Sequence, residues 1–597
     1  MILRFTSLFA LVALLACTQV RAQEELREPD EVHSIDGVLN DTLVMAISPI
    51  NIGDRVITSR LYNGGCPGPT WRLKRGELLR VFLRNQLPLN PDQDSADQGN
   101  YPQRINTTNL HVHGLNVTPR DSGDNVLQSI LPGEDFQFHI QLPQNHAAGS
   151  YWYHPHHHTS TYGQVVSGLA GSIIIEDVDD PLVSDPALLA IEDRVFVFSV
   201  FSYDTTTNTL PYPRRLTSAT ALRPFNAIVS KAFVNGMNNA KVTLRPGEIQ
   251  RWRFINATFN MNMDLRWLKI VGTDTTLIDR PEIAVDGLYF DEPFATPKVL
   301  VTTGGRSDVL VQAPTDEGRY ILQMMVRSSQ MVLQETRELI SIVVAGDAII
   351  PPMTMPSRLP AAIARGPVHD SEITGHRTVT FSLGDFSEIA TDSTAVTRMF
   401  KINNSPFDHE VVNISVTAGD AEEWIIDNES DDFHPFHIHV NEFQVLEKNG
   451  VKLNPPRWQD VLLLDTLSTY KIRHRFGEHY GKTVLHCHYL NHEDWGMMNI
   501  IEILPKVSGV ESPSTRSPLA FPNPIVGRID RVSVRIPDFL SGRTVTITLT
   551  DVVGQPVSIQ TVDASDTRLA TMDVTTLSAG TYFLTVDGGG AYNETDM

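Results

Sequence analysis

The sequence has little cysteine, no excess of positive charge and no apolar run long enough to cross a membrane. Only three of its 597 residues are cysteine, which excludes a disulfide-rich scaffold. Its 70 acidic and 48 basic residues give a net charge of −22, which disfavours nucleic acid and anionic membranes as partners. Long stretches of helical periodicity are scarce, which argues against a helical bundle.

The N-terminal segment has the pattern of a secretory signal peptide. Arg4 precedes the apolar run 5–16, and a polar stretch then ends at Ala22. A run of this length is too short to span a bilayer, so we expect residues 1–22 to be a signal peptide removed after Ala22. A lipoprotein signal at Cys17 is the alternative. We therefore expect an exported protein, secreted or at the cell surface, with the periplasm as the alternative.

Most of the chain has the pattern of short β-strands separated by Gly, Pro, Asn and Asp. The β-rich runs include residues 79–83, 136–142, 171–175, 195–200, 307–311, 378–383 and 483–485. A chain of this length needs several cores, and the pattern favours β-sandwich or barrel domains. Proline-rich and serine-rich stretches predict linkers at 349–375 and 506–518. The predicted domains are residues 23–180, 181–348, 376–505 and 519–597.

The last predicted domain is a short β-rich tail with motifs of its own. It opens on Pro522-Asn523-Pro524, and it closes on the strand-like run 580–586, GTYFLTV. These features resemble the C-terminal sorting domain of type IX secretion substrates, which implies the secretion machinery as a partner. The basic residues usual at the extreme end of such domains are absent, since the chain ends NETDM. The alternative is an added immunoglobulin-like module that packs or binds carbohydrate.

Four segments concentrate histidine at spacings that suit metal binding. Side chains alternate along a strand, so each His-x-His pair points both imidazoles to one side. Four converging pairs would surround one site with eight nitrogens. Imidazole binds copper, zinc, iron and nickel, so the histidines alone do not choose the metal. The segments are His111-Val-His113, His154-Pro-His156, His434-Pro-Phe-His437-Ile-His439 and His486-Cys-His488 with His492 and Met497.

The last of these segments indicates copper. If the two histidines that flank Cys487 face the shared site, strand alternation sends the Cys487 thiolate to the opposite face. There it can join His434 and His492 in a trigonal site of two nitrogens and one sulfur, with Met497 as a long axial thioether. This is the ligand set of a blue copper site. The tripeptide would then link it directly to the eight-histidine site.

These motifs resemble those of the multicopper oxidases over residues 35–505, with further support from 62–70, 110–115 and 168–171. The resemblance implies an all-β fold of three tandem cupredoxin-like β-sandwiches, here followed by a small immunoglobulin-like sandwich. It also implies four copper ions. The implied type-2 ligands are His111 and His437. The implied type-1 ligands are His434, Cys487, His492 and Met497. The implied type-3 ligands are His113, His154, His156, His439, His486 and His488.

The resemblance also implies carboxylates near the copper cluster. Reduction of O2 consumes protons, and metal-bound imidazoles need oriented partners. We expect Glu493 and Asp124 in these roles, with Asp121 as the alternative to Asp124. The chain departs from the family at Val440, where glycine is usual, and in two extra histidines, His157 and His158, after the second segment.

The activity implied is that of a laccase-like enzyme. It would couple one-electron oxidation of phenolic or similar donors to four-electron reduction of O2 to water, so its partners are O2 and a small reducing substrate. A first alternative is an oxidase of Cu(I), Fe(II) or Mn(II). The methionine pairs at 261/263, 324/325 and 353/355 are more typical of core filling than of a metal relay. A second alternative is a non-catalytic copper-binding surface protein.

Overall fold

The computed structural model describes the chain from residue 23 onwards. The predicted signal peptide and the Pro-Asn-Pro opening of the tail lie outside the described residues, as does most of the second linker. The described residues are 23–597 apart from 53–54, 92–99, 101, 177–190, 205–227, 316–318, 328–335, 360–365, 385–399, 507–519, 522–530, 537–543, 552–554, 564–568, 576, 578–581, 588–592 and 597.

The first sandwich consists of two facing sheets, with strand orders β3-β2-β5-β7 and β1-β4-β9-β8-β6. Buried side chains alternate along β5, where Leu79, Val81 and Leu83 share one core with Trp71 and Tyr153 of the opposite sheet. Strand β6 is the outermost strand of its sheet, so its histidines lie at that edge. The strands are β1 (Glu31–His33), β2 (Val38–Asn51), β3 (Val56–Tyr62), β4 (Thr70–Lys74), β5 (Leu78–Asn85), β6 (His111–His113), β7 (Asp135–Gln141), β8 (Gly149–His154) and β9 (Gly171–Glu176).

The second sandwich has sheets in the orders β11-β10-β13-β19-β16-β17 and β12-β21-β20-β14-β15, and β18 pairs with β14. Phe196 and Trp252 of one sheet meet Trp267 and Leu322 of the other in its core. Leu26, near the start of the described chain, packs into the same core. The strands are β10 (Glu192–Asp204), β11 (Ile228–Val234), β12 (Ala240–Leu244), β13 (Ile249–Asn256), β14 (Asn262–Val271), β15 (Asp274–Ile278), β16 (Arg280–Val285), β17 (Leu288–Thr296), β18 (Val299–Val301), β19 (Arg306–Gln312), β20 (Arg319–Arg327) and β21 (Thr336–Val344).

The third sandwich has sheets in the orders β23-β22-β25-β30-β27-β28 and β24-β32-β31-β26-β29. Its core contains Phe381, Trp424 and Ile472, and Cys487 and Met497 lie in the same core. The strands are β22 (Ile373–Leu383), β23 (Phe400–Ile402), β24 (Val412–Thr417), β25 (Ala421–Asn428), β26 (His434–Ile438), β27 (Phe443–Lys448), β28 (Val451–Gln459), β29 (Val461–Leu464), β30 (Ser468–Arg475), β31 (Gly481–Cys487) and β32 (Met498–Leu504).

Residues 507–597 form a separate compact unit. Its sheets have the orders β33-β34-β37 and β36-β35-β38-β39, and a small core holds Val534, Val545, Ile547, Met572 and Leu584. The prediction of an all-β chain is confirmed. The strands are β33 (Ala520–Phe521), β34 (Arg531–Arg535), β35 (Thr544–Thr550), β36 (Pro556–Asp563), β37 (Leu569–Asp573), β38 (Phe583–Asp587) and β39 (Asn593–Asp596).

Helix is confined to single turns in the described residues. Helix α1 (Thr161–Val165) follows the second histidine segment, α2 (Leu490–Asp494) lies within the last and contains His492, and a 3-10 turn spans Asp370–Glu372. A carboxylate oxygen of Asp494 accepts a hydrogen bond from the Tyr162 N–H at 2.8 Å, which ties α2 to α1. Within the described part of the chain, no helix has the length and apolar character needed to cross a membrane.

Candidate metal centre

Two pairs of antiparallel strands bring the histidine segments together. In the first sandwich β6 pairs with β8, which places His111 opposite His154. In the third sandwich β26 pairs with β31, which places His437 opposite His486. A second histidine lies two residues beyond each of these four. All eight are buried: His111, His113, His154, His156, His437, His439, His486 and His488.

Ring nitrogens from the first and third sandwiches approach one another closely. The Nε2 atoms of His156 and His439 lie 3.1 and 3.2 Å from Nε2 of His486. On the other side of the cluster, Nε2 of His488 lies 3.2 Å from Nδ1 of His113. Imidazole nitrogens that converge in this way form a ready set of metal ligands.

Acceptors around the cluster orient three of the rings. The Nδ1 atom of His111 lies 3.0 Å from both carboxylate oxygens of Asp124, and that of His437 lies 2.8 Å from the Asp460 carbonyl oxygen. The Nδ1 atom of His154 faces the carbonyl of the next residue at 2.9 Å. Because these acceptors take the Nδ1 proton, Nε2 keeps its lone pair. Among the described residues these three buried Nε2 atoms have no hydrogen-bond partner, so they fit a metal ion.

A second group of donors lies on the other face of β31. The Cys487 sulfur lies 3.4 Å from Nδ1 of His434 and 3.7 Å from Nδ1 of His492, and these two nitrogens are 3.3 Å apart. The Ser430 hydroxyl lies 2.8 Å from Nε2 of His434, which leaves Nδ1 to face the sulfur. Met497 is fully buried in the same core. Two imidazoles and a thiolate in a closed triangle fit copper.

Burial sets the protonation state of both donor groups. It lowers the pKa of His437 and of His434 to about 3, and it lowers the pKa of every other histidine in the two groups. The imidazoles are therefore neutral and can donate a lone pair. Burial also raises the pKa of the Cys487 thiol well above its usual value. A bound cation reverses this preference, because metal ligation deprotonates a thiol.

Comparison with protein families identifies the family to which these three sandwiches belong. Three family descriptions, all given as multicopper oxidase, match residues 100–180, 196–345 and 381–506. The chain belongs to the multicopper oxidase family. It is a copper-dependent oxidoreductase, and its family carries type-1, type-2 and type-3 copper centres. The copper cofactor and the cupredoxin-like sandwiches predicted above are thereby confirmed.

Relatives of this oxidase include both laccases and metal oxidases. It is 25% identical over 455 residues to multicopper oxidase mco of Staphylococcus haemolyticus, covering 74% of this chain and 83% of the relative. It is 25% identical over 492 residues to a laccase of Bacillus subtilis, covering 74% and 89%. The structure of a Campylobacter jejuni multicopper oxidase, a metallo-oxidase, shares the fold, with a TM-score of 0.63, 22% identity and coverage of 81% and 96%.

The C-terminal unit of the oxidase has its own family match. A secretion system C-terminal sorting domain matches residues 519–595, as the tail motifs predicted. The match indicates export of the oxidase to the cell surface or beyond.

The two carboxylates named from the sequence lie beside the histidine cluster. Asp124 contacts His111 and accepts the N–H of Val112 at 3.0 Å, and burial raises its pKa to about 8. One oxygen of Glu493 lies 3.3 Å from Nδ1 of His486 and the other 3.6 Å from Nδ1 of His156. Burial and the neighbouring Asp494 raise the pKa of Glu493 well above its usual value. Asp121, the alternative to Asp124, is exposed.

Two further carboxylates contact the site and were not assigned from the sequence. Asp460 lies 3.3 Å from Nε2 of His113, although no histidine motif surrounds it in the chain. Asp494 accepts the backbone N–H groups of Thr159 and Tyr162 at 2.6 and 2.8 Å, and so holds the turn that follows His156. The only sequence signal for Asp494 was its position directly after Glu493.

The departures from the family pattern have structural consequences. Val440 adopts a left-handed backbone with φ 69° and is buried directly after His439. A β-branched residue is strained there, which explains the usual glycine. His157 and His158 turn away from the cluster, toward the Ser129 hydroxyl at 2.9 Å and the Asn100 side-chain oxygen at 2.7 Å.

Proposed function

We propose that this protein is a laccase-like oxidase that couples one-electron oxidation of phenolic or similar donors to four-electron reduction of O2 to water. In this proposal His434, Cys487, His492 and Met497 hold the type-1 ion. The type-2 ion is held by His111 and His437. The type-3 pair is held by His113, His154, His156, His439, His486 and His488. Bound copper supplies the redox chemistry, with donor oxidation at the first site and O2 reduction at the cluster.

One observation carries the proposal: the two donor groups share the tripeptide 486–488. The sulfur of Cys487 faces His434 and His492, whereas the rings on either side of it face the eight-histidine cluster. An electron received at the sulfur therefore has a short covalent path along the backbone to either imidazole. No mobile carrier is needed between the sites.

The carboxylates handle protons in this mechanism. Each O2 reduced to two waters consumes four protons, so a proton donor must lie close to the cluster. Glu493, held between His156 and His486, is placed to deliver them on one side. Asp124 fixes the orientation of the His111 ring and is placed to hold a proton on the other side.

A metal donor is the second candidate, and one contact favours it. A carboxylate oxygen of Asp432 lies 4.0 Å from Nε2 of His492, beside the site that receives electrons. A carboxylate there would attract Cu(I), Fe(II) or Mn(II). The methionines do not add to this case, because Met261, Met263 and Met324 are buried in the core of the second sandwich.

A donor screen tests both candidates. Oxygen uptake would be measured with phenols, Cu(I), Fe(II) and Mn(II), for the wild-type protein and for Asp432→Asn. We expect turnover of phenols that the variant retains. Turnover of a metal ion alone, with a KM that rises in Asp432→Asn, would instead establish the metal oxidase. A copper-loaded protein that is colourless and consumes no O2 would overturn both.

We also propose that the protein is exported by the type IX secretion route. The alternative is that it stays in the periplasm. The tail motifs and their family match support it. Expression of the full chain and of a chain ending at residue 506 in a host with that secretion system would test it. The full chain should appear outside the outer membrane and the shortened chain should stay in the periplasm. The N-terminal sequence of the mature protein would decide between removal after Ala22 and lipidation at Cys17.

A further inference from the structure

One arginine of the second sandwich contacts all three sandwiches beside the histidine cluster. Arg306, at the start of β19, has a fully buried side chain. Its guanidinium grips the Asp460 carboxylate of the third sandwich through two hydrogen bonds of 2.7 and 2.6 Å. It also donates to the Ser150 carbonyl of the first sandwich at 3.2 Å and to the Gly304 carbonyl of its own sandwich at 3.3 Å.

Asp460, which Arg306 holds through these two hydrogen bonds, contacts two histidines of the cluster. Its carboxylate lies 3.3 Å from Nε2 of His113, and its backbone carbonyl lies 2.8 Å from Nδ1 of His437. Carboxylate and carbonyl oxygens only accept hydrogen bonds, so each must face an N–H. His113 is thereby left with its lone pair on Nδ1, toward His488, and His437 with its lone pair on Nε2.

A second carboxylate, that of Asp286, fixes the backbone of both Arg306 and Asp460. One oxygen of Asp286 accepts the N–H groups of Asp460 and Val461, both at 3.0 Å. Its other oxygen accepts the N–H of Arg306 at 2.9 Å. The position of Asp460 is therefore set by its side chain and by its backbone together.

The packing around the arginine has no spare space. A Cβ atom at Gly114, next to His113, would lie 2.3 Å from the Arg306 guanidinium. A Cβ atom at Gly304 would lie 2.7 Å from the His488 ring. Both glycines also have left-handed φ values, 85° and 83°. Movement of Arg306 would therefore be transmitted directly to ligands of the cluster.

We infer that Arg306 is a positioning residue of the oxygen-reducing site. It holds Asp460 so that His113 presents Nδ1, and His437 presents Nε2, to the cluster. Because the ligand set is itself proposed, the inference rests on the proposed function. It gives the second sandwich, which supplies none of the proposed ligands, a defined role in copper binding.

Arg253 provides a matched control for the test. It is another fully buried arginine of the second sandwich, it pairs with Asp308 at 2.8 Å, and it also contacts Ser150, at 2.9 Å. Its Nε also donates to both carboxylate oxygens of Asp193, at 2.8 and 2.9 Å. Arg253→Lys should therefore disturb packing as Arg306→Lys does, without disturbing the orientation of His113 and His437.

The experiment loads full-length wild type, Arg306→Lys, Arg306→Gln and Arg253→Lys with copper. It then measures copper per chain, the type-2 electron paramagnetic resonance signal, the type-3 near-ultraviolet band and the type-1 blue band. Lysine cannot reproduce the two hydrogen bonds that the guanidinium donates to the Asp460 carboxylate. We expect both Arg306 variants to bind copper at the cluster about 10- to 100-fold more weakly, with the blue band unchanged, since this is the usual effect of losing a partner of a ligand. Arg253→Lys should keep every signal.

Three outcomes separate the possibilities. Arg306 variants with wild-type copper affinity and an unchanged type-2 signal would overturn the inference. Equal signal losses in the Arg306 and Arg253 variants would show that Arg306 contributes only to general packing, which also overturns it. A wild-type protein that never gains type-2 and type-3 signals would contradict the proposed ligand set instead.

Discussion

The sulfur of Cys487 lies 3.4 Å from Nδ1 of His434 in a fully buried site. All electrons from the donor must pass this sulfur if the proposed route is right. We therefore expect Cys487→Ser to lose the blue band and the oxidation of every donor while the other coppers remain, because a serine oxygen does not replace the thiolate. Oxygen uptake, absorption and copper content would check this. Cys66→Ser is the control and should change neither colour nor activity. Loss of activity toward one donor only would contradict a single route.

Met497 and Met498 are adjacent buried methionines in different surroundings. Met497 lies in the core that contains Cys487, whereas Met498 packs with Val126 and Phe407. We expect Met497→Leu to raise the potential of the blue site without abolishing activity, because the axial ligand tunes that potential. Redox titration of the blue band would measure it, with Met498→Leu as the matched control. Equal potentials in the wild type and Met497→Leu would show that Met497 is not axial.

Removal of a carboxylate beside the cluster should slow oxygen reduction without slowing donor oxidation. Asp124→Asn weakens the orientation of His111, and Glu493→Gln removes the proposed proton donor between His156 and His486. We expect a loss of about 10- to 100-fold for each. Stopped-flow measurements would separate anaerobic bleaching of the blue band from its return with O2. The exposed Asp121→Asn is the control, and a slower bleaching step in Asp124→Asn would contradict the assignment.

The strained backbone at Val440 predicts that glycine is more stable than alanine there, the reverse of the usual order. An L-residue pays a steric penalty at φ 69° that glycine does not, so Val440→Gly should be more stable than Val440→Ala by about 1 kcal/mol. At Val445, which is also buried and lies within β27, alanine should be more stable than glycine by about 0.5–1 kcal/mol. Urea unfolding of the four variants would measure the difference. The same preference at both positions would rule out strain at Val440.

Buried Glu282 should make the second sandwich less stable as pH rises. Burial raises the pKa of Glu282 from 4.5 to about 7, although the Ser307 hydroxyl donates to it at 2.8 Å. As pH rises from 4.5 to about 7, Glu282 loses its proton in the unfolded chain but keeps it in the folded chain. The free energy of unfolding therefore falls over this range. Glu282→Gln stays neutral. Its stability relative to wild type should grow by on the order of 2 kcal/mol between about pH 5 and about pH 8. A pH-independent difference would contradict the raised pKa.

The elements that could be predicted were those with a local signature. Short β-rich runs between turn residues identified strands such as β5, and strand geometry alone required the rings flanking Cys487 to diverge from its sulfur. The residue types carried the chemistry, since two imidazoles and a thiolate with an axial methionine are the ligand set of a blue copper site. Glu493 and Asp124 followed from their closeness in the chain to His492 and to the first histidine pair.

Only the tertiary structure decided which nitrogen of each ring faces the cluster and which groups hold it there. Arg306 and Asp460 are 154 positions apart, and no periodicity links them. Their contact depends on the packing of the second sandwich against the third. The strain at Val440 is likewise a property of backbone geometry, and the valine itself does not reveal it. Sequence alone predicted copper and the residue types of its proposed ligands, because these depend on residue chemistry. The orientation of the donors required the fold, because it depends on contacts between distant segments.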